Sequence, residues 1–257
     1  MYRLLVATAL IATSSAFGYV DCTATGNINP QGIKDGSTYV GDSNRTGCLK
    51  ATTGLVPDPD PTAWGDAWIA WNIEPIISGG YFKYEYTFND PGGTNTREIS
   101  HFILGLSPDC STVTVTQTQG GCIWGITSTY FQAPAVDPIK TYEPDPPTTG
   151  DQPGMPANLY GIKFDRVAPG AAGSVSFYSA RTPVWQNFYA KDGNCCGQGG
   201  APTYVYNAGF SATGLSYYVA APDTQFDPPE VPEPGFYGVL AGGLAGLYFY
   251  VRRRQTA

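Results

Sequence analysis

The stretch Gly80 to Asn89, GYFKYEYTFN, restricts the fold more than any other part of the chain. In an extended strand Phe82, Tyr84, Tyr86 and Phe88 point to one side, and Tyr81, Lys83, Glu85 and Thr87 to the other. A helix would scatter those four rings around its axis, so the period of two demands a sheet with one buried face. The pattern recurs. Ile99 to Leu106 places Phe102, Leu104 and Leu106 together, and Ser111 to Gln119 (STVTVTQTQ) alternates with β-branched residues. Further expected strands are Ala67 to Ile73, Ile123 to Phe131, Leu159 to Asp165, Ser174 to Ala180, Val184 to Ala190, Thr203 to Phe210 and Ser216 to Ala220. No amphipathic helix is expected between Tyr19 and Pro234. About ten short strands, separated by Gly and Pro turn signals, predict an all-β chain: a single antiparallel β-sandwich or jelly-roll-like domain over residues 19–220.

Two irregular stretches interrupt the strands. Leu55 to Ala63 (LVPDPDPTA) reads as a Pro/Asp loop, and Pro134 to Pro156 as a long excursion from the same domain. Composition narrows the function. Eighteen Tyr, 12 Phe and 5 Trp supply ample surface to bury, which excludes a disordered acidic chain. A net charge of −7 excludes nucleic acid as a partner, because a phosphate backbone requires a basic footprint.

The ends address the chain. Arg3, the apolar run Leu4 to Ala12 and the small residues Ala16 and Gly18 predict a signal peptide over residues 1–18, read by the Sec export machinery and cut before Tyr19; a cut after Ala16 is the competing choice. Residues 221–231 form a Pro-rich linker. Gly235 to Val251 (GFYGVLAGGLAGLYFYV) carries no charge and is followed by Arg252, Arg253 and Arg254. As a helix it measures about 26 Å, at the short limit for a bilayer core, and the arginines hold its end in the cytoplasm. Gly238, Gly242 and Gly246 line one face of that helix, where another helix can approach closely. Setting aside Arg3 and the three terminal arginines leaves ten basic against 21 acidic residues, so the body carries −11.

Pro232-Glu233-Pro234, the Gly-rich apolar helix and the arginine cluster, in that order, resemble the PEP-CTERM sorting signal, over residues 232–254. The resemblance implies a substrate of exosortase, an integral-membrane Cys-protease-like transpeptidase of Gram-negative, exopolysaccharide-forming bacteria that removes the tail. Prolines resist helix continuation, so Pro232, Glu233 and Pro234 stay extended just outside the membrane. The plain alternative is a permanent single-pass anchor. Ile99-Ser100-His101-Phe102 leading to Ser107-Pro108-Asp109-Cys110, Tyr160 to Asp165, and Pro183 to Gly193 with Tyr206 to Phe210 are similar to strings found in bodies that carry such tails; they imply no activity.

In an exported chain six cysteines read as disulfides, with fifteen pairings open. Cys110 and Cys122 bracket one strand and a Gly-Gly turn and suit a local bridge. Cys22 with Cys48 would close the N-terminal segment. Cys195 and Cys196 are adjacent, and each has Cys22 or Cys48 as an alternative partner to a strained direct bridge.

Candidate chemistry is sparse. Trp64, Trp68 and Trp71, with Asp66 and Glu74 nearby, form the candidate glycan contact, since rings stack on sugars and carboxylates accept hydroxyls. His101, the one histidine, reads as structural at a sheet edge. Asp58, Asp60, Asp66 and Asp192 offer oxygens for Ca²⁺ without a recognised spacing. Glu74, Glu85 and Glu98 have no placement that makes a glycosidase pair. No catalytic residue, metal site or cofactor is assigned. The expectation is a non-enzymatic protein of the cell surface or extracellular polysaccharide matrix, anchored transiently or permanently in the inner membrane with its body outside the cytoplasm. The alternative is a carbohydrate-binding module using the Trp cluster on extracellular polysaccharide.

Overall fold

The computed structural model describes residues 22, 40, 45–51, 53–59, 64–65, 67–89, 99–114, 119–133, 138–146, 150–167, 172–192, 202–211 and 217–222. The chain is all-β. One sheet runs in the order β1 (Thr46–Lys50), β3 (Trp68–Ile76), β4 (Tyr81–Asn89), β11 (Ala172–Ser179), β7 (Ile123–Thr129) and β6 (Val113–Thr114). Its pairings are antiparallel except β6 with β7. The second sheet runs β2 (Leu55–Asp58), β14 (Tyr204–Asn207), β13 (Phe188–Asp192), β5 (Ile99–Gly105) and β10 (Leu159–Arg166), all antiparallel. The far edge of β10 takes both β9 (Ile139–Tyr142) and β8 (Phe131–Gln132). β12 (Pro183–Gln186) and β15 (Val219–Pro222) pair with each other alone. One helical turn, α1 (Ala208–Ser211), comes directly after β14.

The two large sheets meet through the rings that the alternation predicted. Phe82, Tyr84, Tyr86 and Phe88 of β4 are all buried, as are Phe102 and Leu104 of β5. Phe88 lies 4.3 Å, centroid to centroid, from Phe102 and 5.9 Å from Phe188, and Phe164 lies 6.5 Å from Phe177. These contacts cross from one sheet to the other, so a single apolar layer holds both. Each such ring contributes about 1.5–3 kcal/mol by leaving water.

Three strands arise where none was expected. β2 forms inside the Pro/Asp stretch, because Leu55 reaches the core while Val56 to Asp58 pair with β14. β9 forms inside the Pro-rich excursion and extends the edge of β10. β1 pairs β3 and carries Cys48 and Leu49 to opposite faces. Conversely, Val184 to Ala190 is not one strand. The chain changes sheet at Asn187, whose carbonyl accepts Gly105 N–H at 2.8 Å. Fully buried Asn207 secures that corner: its Oδ1 accepts Phe188 N–H at 2.6 Å and its Nδ2 donates to the Tyr217 carbonyl at 2.7 Å. The expected strand Thr203 to Phe210 ends at Asn207 and turns into α1.

A local irregularity in β7 sets up the site. The register with β11 shifts between Ser176 and Tyr178, and Gly125 takes a left-handed φ of 62°. That bulge lets Ile123 and Ile126 both reach the core although they are three residues apart, while Trp124 points outward.

Candidate functional site

The tryptophans expected to contact glycans are inside the protein. Trp64, Trp68 and Trp71 are 3%, 4% and 0% exposed. Trp71 points into the core and meets Trp185 edge-on at 6.1 Å. Trp64 belongs to the same core. Trp68 points outward from β3, but Cys22, Cys48 and Ala70 cover it. None offers a ring face to a sugar, so that site assignment is corrected. Asp66 lies outside the described residues.

The cysteines form Cys22–Cys48 and Cys110–Cys122 bridges, with Cα separations of 5.9 and 5.2 Å. Cys22 and Cys48 occupy each other, which removes both as partners for Cys195 or Cys196. Those two residues lie outside the described residues, as do the sorting-signal residues Pro232, Glu233, Pro234, Arg252, Arg253 and Arg254, the signal segment and the expected membrane helix. Among the described residues no helix is long and apolar enough to cross a membrane.

His101 is not at an edge. β5 is flanked by β13 and β10, and His101 stands opposite Lys191 and Asp165. Its Nδ1 is 3.3 Å from Ser100 Oγ, while Nε2 is buried and makes no hydrogen bond among the described residues. Burial lowers its pKa to about 3, helped by the charges of Lys163 and Lys191; the nearby Asp151 main chain acts the other way. It is neutral at ordinary pH and packs beside Tyr189, ring centroids 6.3 Å apart.

Two of the carboxylates considered for Ca²⁺ are engaged elsewhere. Asp58 accepts the Tyr204 hydroxyl at 3.1 Å, and buried Asp192 accepts Thr203 Oγ1 at 3.3 Å. Asp60 lies outside the described residues, which contain no cluster of three or more His, Cys, Asp or Glu side chains able to hold a metal. Glu85 pairs with Lys83 at 3.1 Å on the outer face of β4, and Glu98 is outside the described residues.

What the structure does bring together lies at the Cys110–Cys122 bridge. A cleft of about 370 Å³ is lined by Asp109, Thr112, Gln119, Gly120, Gly121, Cys122, Trp124, Ala180 and Arg181. Several elements fix its walls. The disulfide closes the loop from Cys110 to Cys122, and Thr112 receives Cys122 N–H on both its carbonyl and its Oγ1 at 3.0 Å. Tyr160, from the other sheet, donates its hydroxyl to the Cys110 carbonyl at 3.2 Å. Tyr84, rising from the core, donates to the Arg181 carbonyl at 2.7 Å. Arg181 Nη1 then reaches Asp109 Oδ1 at 2.9 Å across the cleft. The guanidinium is largely covered, whereas the Asp109 side chain is 54% exposed.

Beside the cleft stands a row of three outward rings from adjacent strands: Tyr81 of β4, Tyr178 of β11 and Trp124 of β7. Tyr81 meets both others edge-on at 5.5 Å, and Trp124 stacks with Tyr178 at 6.4 Å. Trp124 is 3% exposed and the two tyrosines are half-buried. Sequence reading missed this row because its members are far apart along the chain. The alternation around Tyr81 and Tyr178 does mark both as outward, and that signal was available.

No family model, no curated protein and no solved structure matches the chain.

Proposed function

We propose that the protein is an exported, non-enzymatic component of the cell surface or extracellular polysaccharide matrix, delivered by a signal peptide and sorted by its C-terminal Pro-Glu-Pro, apolar-helix and arginine signal. Its exported part is a disulfide-stapled β-sandwich of jelly-roll-like build, tethered by the Pro-rich linker. The observation that carries this reading is the pair of bridges, Cys22–Cys48 and Cys110–Cys122, which persist in oxidising compartments and not in a reducing cytosol. The acidic body and the resemblance of residues 232–254 to an exosortase substrate point the same way. A body of this kind, dense in buried rings and bridged at its surface, suits a passive structural or binding role.

Mass spectrometry of the native cell-associated protein tests the proposal. The expected C-terminus lies near Pro232 to Pro234, without Arg252, Arg253 and Arg254, and the expected N-terminus lies near Tyr19. An intact arginine terminus would contradict sorting by removal of the tail and leave a permanent anchor.

A further inference from the structure

We propose that the cleft at the Cys110–Cys122 bridge, with the ring row beside it, is a binding site for a neutral saccharide. This goes beyond the sorting proposal and stands without it, since a permanently anchored protein would carry the same cleft.

The lining selects the ligand class. An anion is disfavoured: the Arg181 guanidinium is already paired with Asp109 at 2.9 Å, and the body around it is strongly acidic. A cation is disfavoured by that same guanidinium beside the carboxylate. A purely apolar ligand would strip water from Asp109, Arg181, Gln119 and Thr112 without replacing those hydrogen bonds. A neutral polyol fits all four. Neighbouring ring hydroxyls donate to the Asp109 carboxylate and accept from Arg181, while the Gln119 amide both donates and accepts. Thr112 Oγ1 already accepts Cys122 N–H, which leaves its own hydrogen to donate. The C–H face of a pyranose ring supplies the apolar half of the match, against the half-buried rings of Tyr178 and Tyr81, which the buried indole of Trp124 holds at the edge of the cleft.

Size and rigidity agree. A volume of about 370 Å³ falls within the usual range for small-ligand sites. The walls are set before binding by the disulfide, by Tyr160 on the Cys110 carbonyl and by Tyr84 on the Arg181 carbonyl, so little ordering is left for the ligand to impose. The left-handed Gly121, with φ of 69°, lies so close to Thr112 that an added Cβ would fall 2.8 Å from its Oγ1. The loop is therefore shaped by glycine to pass tightly along the cleft.

The test uses the full chain in a detergent without a sugar headgroup. Cellohexaose, mannohexaose and a galactohexaose are titrated by calorimetry and tryptophan fluorescence, with an oligomannuronate hexamer as the anionic comparison. Saturable binding of at least one neutral hexamer, stronger than the oligomannuronate, is expected. Asp109→Asn, which keeps the shape and removes the charged acceptor, is expected to weaken it about tenfold or more. Tyr178→Ala is expected to weaken it by about tenfold through the lost ring contact. Circular dichroism confirms that both variants fold. No binding of any neutral hexamer, tighter binding of the oligomannuronate, or wild-type affinity in both folded variants would overturn the assignment.

Discussion

Tyr189 and Tyr178 both point away from the shared core, from central strands of the two sheets. Tyr189 is fully buried; Tyr178 is half open. The difference is a roof. Over the second sheet the chain at 142–146 and 150–156 folds back across β13 and β14. Asp145 Oδ2 accepts Asp151 and Gln152 N–H at 2.7 and 2.8 Å, which sets the turn. Tyr189 donates its hydroxyl to the Pro153 carbonyl at 2.9 Å, and Lys191 Nζ reaches the Gly150 carbonyl at 2.8 Å. Beneath lies a second apolar cluster of Ile103, Tyr142, Met155, Leu159, Tyr189, Tyr204 and Tyr206. Burial there raises the pKa of Tyr189 and, with help from Asp58, pushes that of Tyr204 up to about 12. On the first sheet no such roof covers Tyr81 and Tyr178 among the described residues. One outer face has become a small core and the other presents rings and hydroxyls. The hydroxyl pairs Thr127–Ser176 and Thr129–Ser174, each 2.7 Å apart, continue that exposed polar surface.

The largest effect separates the shared core from both outer faces. Phe102 touches Phe88, Phe131, Phe164 and Phe188 between the sheets. Phe102→Ala is expected to cost about 3–5 kcal/mol in denaturant unfolding, more than any single change on either outer face.

The roof itself is probed next. Gly154 has φ of 63°, and a Cβ there would fall 1.9 Å from the ring of Tyr204, which is held between Tyr189 and Tyr206 and cannot swing aside. Gly154→Ala is expected to cost about 2–3 kcal/mol. Exposure of tyrosines should follow on the second sheet alone, read as new reactivity at Tyr204 with none gained at Tyr178.

His101 gives the roofed face a pH dependence. Its folded pKa is lowered to about 3 against about 6.5 in the unfolded chain. The unfolded state therefore binds the proton first. Stability from this group is complete above pH 6.5 and is lost as pH falls towards 3. Between pH 7 and 5 the expected loss is about 2 kcal/mol, and His101→Gln should flatten that slope. An unchanged slope in the variant would mean that the ring is solvated and the roof open.

The smallest stability effect belongs to the open face. Asp109→Asn breaks an ion pair whose carboxylate is half exposed, so thermal unfolding should shift by less than about 1 kcal/mol.

Much of this fold is legible in the alternation. The inward set Phe82, Tyr84, Tyr86, Phe88, Phe102, Leu104 and Leu106 is buried as the period of two requires. Alternation says which side chains leave the core but not what then covers them. Trp68 points outward and is hidden by a bridge from Cys22, a residue 46 positions earlier in the numbering. The same blindness concealed the roof, because the sequence from Pro134 to Pro156 has no period of its own, and its described part at 150–156 is shaped by the Asp145 turn and by contact with tyrosines from other strands. β2 is obscured by its own Pro57, which a sheet edge tolerates, and β9 by the prolines that flank it, Pro138 and Pro144. The cleft was hidden for a related reason: Asp109, Trp124 and Arg181 lie far apart in sequence and meet only after β7 pairs with β11.

Side-chain footprinting with hydroxyl radicals, read by peptide mass spectrometry on the folded chain, tests the contrast between the two faces most directly. The account predicts strong labelling of Tyr81 and Tyr178 and protection of Tyr189 and Tyr204, with protection lost in Gly154→Ala. Equal labelling of the four tyrosines in the unaltered protein would contradict it.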